Sequence, residues 1–141
     1  MKDLVRITKE LNKGGFRVTK IRKATLEVFL DNHKPVSAEE LMDALGRSKV
    51  AFNRTTVYRE LNFLTERGII KEVRFLHERA KRYEAADLGH HHHLICVSCK
   101  KVEDIELKND LDEEEKEIYR STGFKVLSHA LEFMGLCQGC R

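Results

Sequence analysis

NRTTVYRELNFLTERGIIKEVRF, residues 53–75, is the stretch whose reading decides the fold. Val57, Leu61 and Leu64 recur at helical spacing and make an apolar stripe that has to pack inward. Thr55, Tyr58, Arg59 and Asn62 stand at i, i+3, i+4 and i+7 and share the opposite side. Asn53 is an N-cap and Gly68 a terminator, so a helix is expected over 54–67. Past Gly68 the period changes: 69–75 and 81–86 read as two strands around a polar turn at 76–80.

Upstream, the chain reads as further helices. Leu4, Ile7 and Leu11 repeat at helical spacing until Gly14-Gly15 ends the run. Thr19 caps a second helix, with Ile21, Ala24, Val28 and Phe29 on its apolar side, and residues 31–35 break it. Ser37 and Glu40 form a capping box that opens a short helix through Leu41 and Leu45 to Gly46. Helices followed by a hairpin are the element order of a winged helix-turn-helix, expected over 1–86. Residues 87–89 make a plausible hinge to a second unit, 90–141. There, strands are expected over 90–97 and 102–107, then a charged helix capped by Asn109 and ended by Gly123. A strand-like stretch over 124–133 leads to the last cysteines. The fold class is α+β, a winged helix followed by a small α/β domain.

The 141 residues carry a net charge of +3, unevenly divided. Residues 1–84 hold 19 Lys and Arg against 12 Asp and Glu, a net of +7; residues 85–141 hold 7 against 11, a net of −4. All four cysteines and five of the seven histidines lie in the acidic part. A basic half suits a polyanion and a ligand-rich half suits a metal. No apolar run reaches the ~18 residues of a membrane helix, and the charged N-terminal stretch lacks a signal peptide's apolar core. The expected compartment is the reducing cytoplasm, where cysteines serve as metal ligands more readily than as disulfides.

Cys96-x-x-Cys99 and Cys137-x-x-Cys140 are two knuckles with 37 residues between them. Four thiolates satisfy tetrahedral zinc and leave no open position, so a structural zinc site is expected. Redox dithiols are the competing reading, but neither knuckle sits at a strand-to-helix turn of the thioredoxin kind. Four consecutive histidines, His90 to His93, run straight into Leu94-Ile95-Cys96. On a strand, His91 and His93 face one way and His90 and His92 the other, so one strand can serve two metal sites. Imidazoles with nearby carboxylates favour Fe, Mn or Zn.

The polar side of the 54–67 helix offers hydroxyl, phenol, guanidinium and amide groups, with Arg54 at its start. Such groups contact phosphates and base edges in a major groove. Lys20, Arg22 and Lys23 on the preceding helix are candidates for phosphate contacts. An ordinary solvated helix face is the bland alternative; the hairpin that follows favours DNA.

Taken together, the segments Thr19-x-x-Arg22, Val36-Ser37-Ala38-Glu39-Glu40-Leu41, Thr56-Val57-Tyr58-Arg59-x-Leu61 and Arg82-Tyr83-Glu84 show a pattern. It continues through His90–His93-Leu94-Ile95-Cys96-x-x-Cys99, Gly123-Phe124-Lys125-Val126 and Gly135-x-Cys137-x-x-Cys140. The chain resembles the ferric uptake regulator family over nearly its whole length. The resemblance implies a homodimeric repressor that uses Fe(2+), Zn(2+) or Mn(2+) as corepressor and binds palindromic operators, with the second unit as dimerisation domain. It implies a regulatory site at His33, Glu84, His91, His93 and Asp104, and a second site at His90, His92, Asp112 and His129. The family's histidine ahead of the short helix falls where Lys34-Pro35 stand here, with His33 just before them. Glu84, where peroxide-sensing members carry Asp, leans toward iron or zinc sensing; a peroxide-, manganese- or nickel-sensing member is the alternative within the family. A metal buffer would need the histidines but not the Tyr58 face. A zinc hydrolase or deaminase would need an open zinc and a His-x-Glu pair, and His91 is followed by His92-His93. No enzymatic activity is expected.

Overall fold

The computed structural model describes residues 2–76, 78–86 and 91–141, leaving the expected hinge, 87–89, outside the described residues. The chain divides into two compact units, residues 1–88 and 89–141.

In the first unit the elements follow local sequence rules. Helices α1 (Lys2–Lys13), α2 (Lys20–Asp31), α3 (Ala38–Arg47) and α4 (Arg54–Glu66) precede the hairpin strands β2 (Ile70–Val73) and β3 (Arg82–Ala85). The Thr19 side chain accepts the amide of Arg22, and Asn53 accepts the amide of Thr56. Ser37 and Glu40 exchange both bonds of a capping box. Gly68, at φ 67°, ends α4 in a left-handed conformation and lets Ile69 N–H return to Leu64 C=O at 3.0 Å. Leu26, Phe29, Leu41, Leu45, Val57, Leu61, Leu64 and Ile70 are at most 1% exposed and form the core. Each such side chain contributes about 1.5–3 kcal/mol of burial.

The sheet holds one strand that the sequence did not announce. Val36–Ser37, β1, pairs antiparallel with Tyr83 and Arg82, giving the order β1-β3-β2. Two residues are too few to show a period, and Ser37 is also the cap of α3. Arg82 ties this corner together: it donates to Glu78 and Glu40 and to the Pro35 carbonyl.

Arg22 departs from its expected role. Instead of standing ready for a phosphate, it lies under α4, where its Nε and terminal nitrogen both donate to Glu60 at 2.9 Å. Its other terminal nitrogen donates to Arg17 C=O at 2.7 Å, and its guanidinium lies 3.8 Å from the Phe63 ring centroid. The side chains are 13% and 9% exposed, so this is a bidentate, largely desolvated pair that fixes α4 on α2.

The second unit is a three-stranded sheet in the order β5-β4-β6, with α5 (Asp112–Thr122) in the crossover. Strand β4 (His92–Cys96) is central, antiparallel to β5 (Val102–Ile105) and parallel to β6 (Glu132–Gly135). Two local expectations fail here. Asn109 does not cap α5: the N-cap is Leu111, with no side-chain cap bond, and Asp112, Glu113, Glu114 and Glu115 fill the first turn instead. Their charge complements the positive end of the helix. The strand-like stretch 124–133 is regular only from Glu132. Phe124 and Leu127 are correspondingly 65% and 87% exposed. Among the described residues no helix is long and apolar enough to cross a membrane.

The Arg22–Glu60 pair yields a stability test. Glu60→Ala strands a buried guanidinium and should cost about 3–5 kcal/mol in urea unfolding, whereas Arg22→Met combined with Glu60→Leu should cost far less. Equal losses in the two variants would show that the cost of Glu60→Ala does not come from a stranded guanidinium.

Candidate metal centres and nucleic-acid interface

The four cysteines converge. Cys96 ends β4, residues 97–99 turn, and Lys100, at φ 64°, lets its N–H reach Cys96 C=O at 2.9 Å. The second knuckle closes likewise, with Cys140 N–H on Cys137 C=O at 2.9 Å. All four sulfurs lie within 4.8 Å of one another, and Cys99 and Cys137 are 3.7 Å apart. Zn–S bonds of about 2.3 Å in a tetrahedron place sulfurs roughly 3.8 Å apart, so the cluster fits a closed structural zinc site. Backbone amides of Cys137 and Cys99 directed at Cys96 hold its thiol down at about 6, against an ordinary 9.0, which favours the ligating thiolate.

Strand β4 presents its histidines to two sides. His91 and His93 stand together with ring centroids 5.0 Å apart, and Asp104 Oδ1 of β5 lies 3.8 Å from His93 Nε2. On the other side His92 stacks on His129 at 5.4 Å, and Asp110 bridges them, 2.6 Å from His92 Nε2 and 3.3 Å from His129 Nε2. His129 Nδ1 meets Glu115 at 2.6 Å. His92, Asp110 and His129 can share one ion. The carboxylate in this cluster is Asp110, not Asp112. Asp110 has φ 41°, and that turn just ahead of α5 is not visible in the spacing of acidic residues. Asp110 and Glu115 are the participants that sequence reasoning missed. His90 lies outside the described residues.

In the first unit Glu84 is buried on β3, with Lys71 Nζ 3.1 Å from its carboxylate, while His33 is exposed in the segment after α2. His33, Asp104 and Asp112 belong to no metal-capable cluster of the described residues; Asp104 lies 3.8 Å from His93.

Helix α4 divides as its periodicity implied. Val57, Leu61 and Leu64 are fully buried, while Arg54, Thr55, Tyr58, Arg59 and Asn62 are exposed, Tyr58 by 40%. Arg54 pairs with Glu39 and lies 5.7 Å from the Tyr58 ring centroid. Lys20 and Lys23 are exposed on α2. With Arg22 withdrawn, this side still offers hydroxyl, phenol, amide and cationic groups along one helix.

Two measurements check the metal clusters. Cys137→Ser with Cys140→Ser should remove one chelator-resistant equivalent of zinc and the amide-exchange protection of β4 and β6, leaving that of α2–α4 intact; retained zinc would disprove the assignment. In metal-free protein, the hydrogen bond to Glu115 and the charge of Asp110 raise His129 above the ordinary 6.5. The raised value means that protonated His129 stabilises the fold fully below 6.5 and ceases to do so as pH climbs through its own value. NMR should place the imidazole titration above 6.5, moving down in Glu115→Gln, and metal-free thermal stability should fall across the same rise in pH.

Comparison with known proteins identifies the family. The model of the "Ferric uptake regulator family" matches residues 13–134. The chain is 34% identical over 139 residues to the ferric uptake regulation protein of Bacillus subtilis, covering 96% of this chain and 92% of that one. It is 33% identical to the peroxide operon regulator of the same organism, covering 92% and 88%. The solved structure of the ferric uptake regulator of Francisella tularensis with iron superposes with a TM-score of 0.76 at 28% identity, over 89% of this chain and 95% of that one. Members of this family are transcription regulators, not enzymes. With its closed cysteine cluster, its two-sided histidine strand and its outward-facing polar helix, the chain belongs to the ferric uptake regulator family of metal-responsive transcription regulators.

Proposed function

We propose that this protein is a cytoplasmic, homodimeric repressor that binds palindromic operator DNA when its regulatory site holds Fe(2+), Zn(2+) or Mn(2+), with iron or zinc homeostasis as its task. The observation that carries this reading is the contrast on β4. The strand ends in a closed thiolate cluster, whereas at its other end His93 and the preceding His91 lie together with Asp104 3.8 Å from His93, nitrogen and oxygen donors of the kind that exchangeable divalent ions use. Glu84 and His33 complete the regulatory donors on the strength of the family resemblance, and Glu84 in place of Asp supports iron or zinc sensing over peroxide sensing. When bound, the ion supplies bonds that favour the DNA-competent arrangement. Shifting a population from mostly incompetent to mostly competent takes about 5.5 kcal/mol of differential affinity, within reach of a few coordination bonds.

On the DNA side, Thr55, Tyr58, Arg59 and Asn62 of α4 read the major groove, Tyr58 meeting thymine methyls on the strength of the family resemblance, and Arg54, Lys20 and Lys23 engage phosphates. The half-sites of such an operator lie about one helical turn apart. Exposed Phe133, Met134 and Leu136 at the free edge of β6 support pairing with a second copy.

The test is a titration of duplexes selected from the native genome against Fe(II), Zn(II), Mn(II) and Ni(II). Tyr58→Ala with Arg59→Ala should weaken binding by about 100-fold or more while the dimer persists. His91→Ala with His93→Ala should lose metal-dependent DNA binding while keeping the dimer and the cysteine-bound zinc. Equally tight DNA binding after all non-cysteine metal is stripped would refute the sensor; metal uptake without any DNA binding would make the protein a buffer.

A further inference from the structure

The parallel ladder of the second unit brings in a carboxylate to which no role has been given. Glu132 pairs with His93 across β6 and β4, and Asp104 pairs with the same His93 across β5 and β4. Residues paired across neighbouring strands point to one face, with Cα atoms about 5 Å apart. One row across all three strands therefore reads Asp104, His93, Glu132, and His91 shares that face two residues earlier on the β4 chain. Glu132 Oε2 is buried and has no hydrogen-bond partner among the described residues. A carboxylate oxygen withdrawn from water with no donor is costly, and its neighbours along the row are an imidazole and a second carboxylate. What neutralises such a set is a cation.

We propose that Glu132 is a ligand of the regulatory ion, adding a second carboxylate to His91, His93 and Asp104 and tilting the site toward hard divalent ions, Fe(II) and Mn(II), over Zn(II). Oxygen donors supply that preference, since zinc favours nitrogen and sulfur at low coordination number whereas Mn(II) accepts oxygen-rich, higher-coordinate sites. The proposal rests on the reading of this face as the regulatory site, and the experiment separates the two.

Full-length protein is prepared with its cysteine-bound zinc retained and its other metal removed by mild chelation. Mn(II) binding is followed by the loss of its free-ion EPR signal, Zn(II) binding by indicator competition, and stability by thermal unfolding without added metal. Glu132→Gln should keep the tightly bound zinc and weaken Mn(II) binding by about tenfold or more, with a clearly smaller effect on Zn(II). Its metal-free melting temperature should be equal or higher, because a carboxylate oxygen withdrawn from water without a donor has been removed. Glu132→Asp should recover part of the Mn(II) affinity. Unchanged Mn(II) affinity in Glu132→Gln, alongside its loss in His91→Ala with His93→Ala, overturns the role of Glu132 and leaves the regulatory face standing. Wild-type Mn(II) binding in that histidine variant overturns both. A metal-free melting temperature lowered by Glu132→Gln overturns the proposal in favour of a purely structural carboxylate.

Discussion

The alternation of side chains along one central strand governs the second unit. Strand β4 is hydrogen-bonded on both edges, to β5 and β6, so its register has no freedom to slide. Within that ladder His91 and His93 share one face and His92 takes the other, while Cys96 ends the strand in the thiolate cluster. A shift of a single residue would exchange the two histidine sets and separate each from its carboxylates. The closed cysteine cluster is therefore more than a local staple. It joins the end of β4 to the chain that follows β6, and so holds the parallel pair on which the histidine geometry depends.

The second unit needs this help because it buries little. Among its described residues only Ile95, Cys96 and Val102 are buried apolar side chains, beside His92 and His93, and α5 buries none. A unit so small has too little apolar area to offset its chain entropy unaided, and coordination bonds are a usual substitute. The thiolate cluster, which fits a structural zinc, supplies a cross-link of the kind that a larger hydrophobic core would otherwise make unnecessary.

The first unit solves the opposite problem. It has an ample core, and its difficulty is to present a polar helix rigidly. Burying Val57, Leu61 and Leu64 sets the rotation of α4 about its axis, and the Glu60–Arg22 pair holds it on α2. A bidentate pair resists sliding in a way that apolar contact does not, because its two parallel bonds fit in one geometry. Removing Arg22 from the surface also sharpens the division of labour on α2: Lys20 and Lys23 stay outward while the guanidinium between them serves the interior.

Apart from the cap of α5, the sequence by itself determined what depends on neighbours a few residues away. Thr19, Ser37 and Asn53 cap helices, Gly68 and Gly123 end them, and the stripe of Val57, Leu61 and Leu64 turns inward, because these outcomes rest on contacts between residues three or four apart. The paired cysteine spacing and the split of the histidines between two faces were legible for the same reason. The tertiary structure alone decided which distant groups meet: Arg22 with Glu60, Asp110 rather than Asp112 with His92 and His129, Val36–Ser37 as a third strand, and Glu132 beside His93. Those pairings follow from helix packing, strand register and where a loop crosses, and separation along the chain carries no information about any of them.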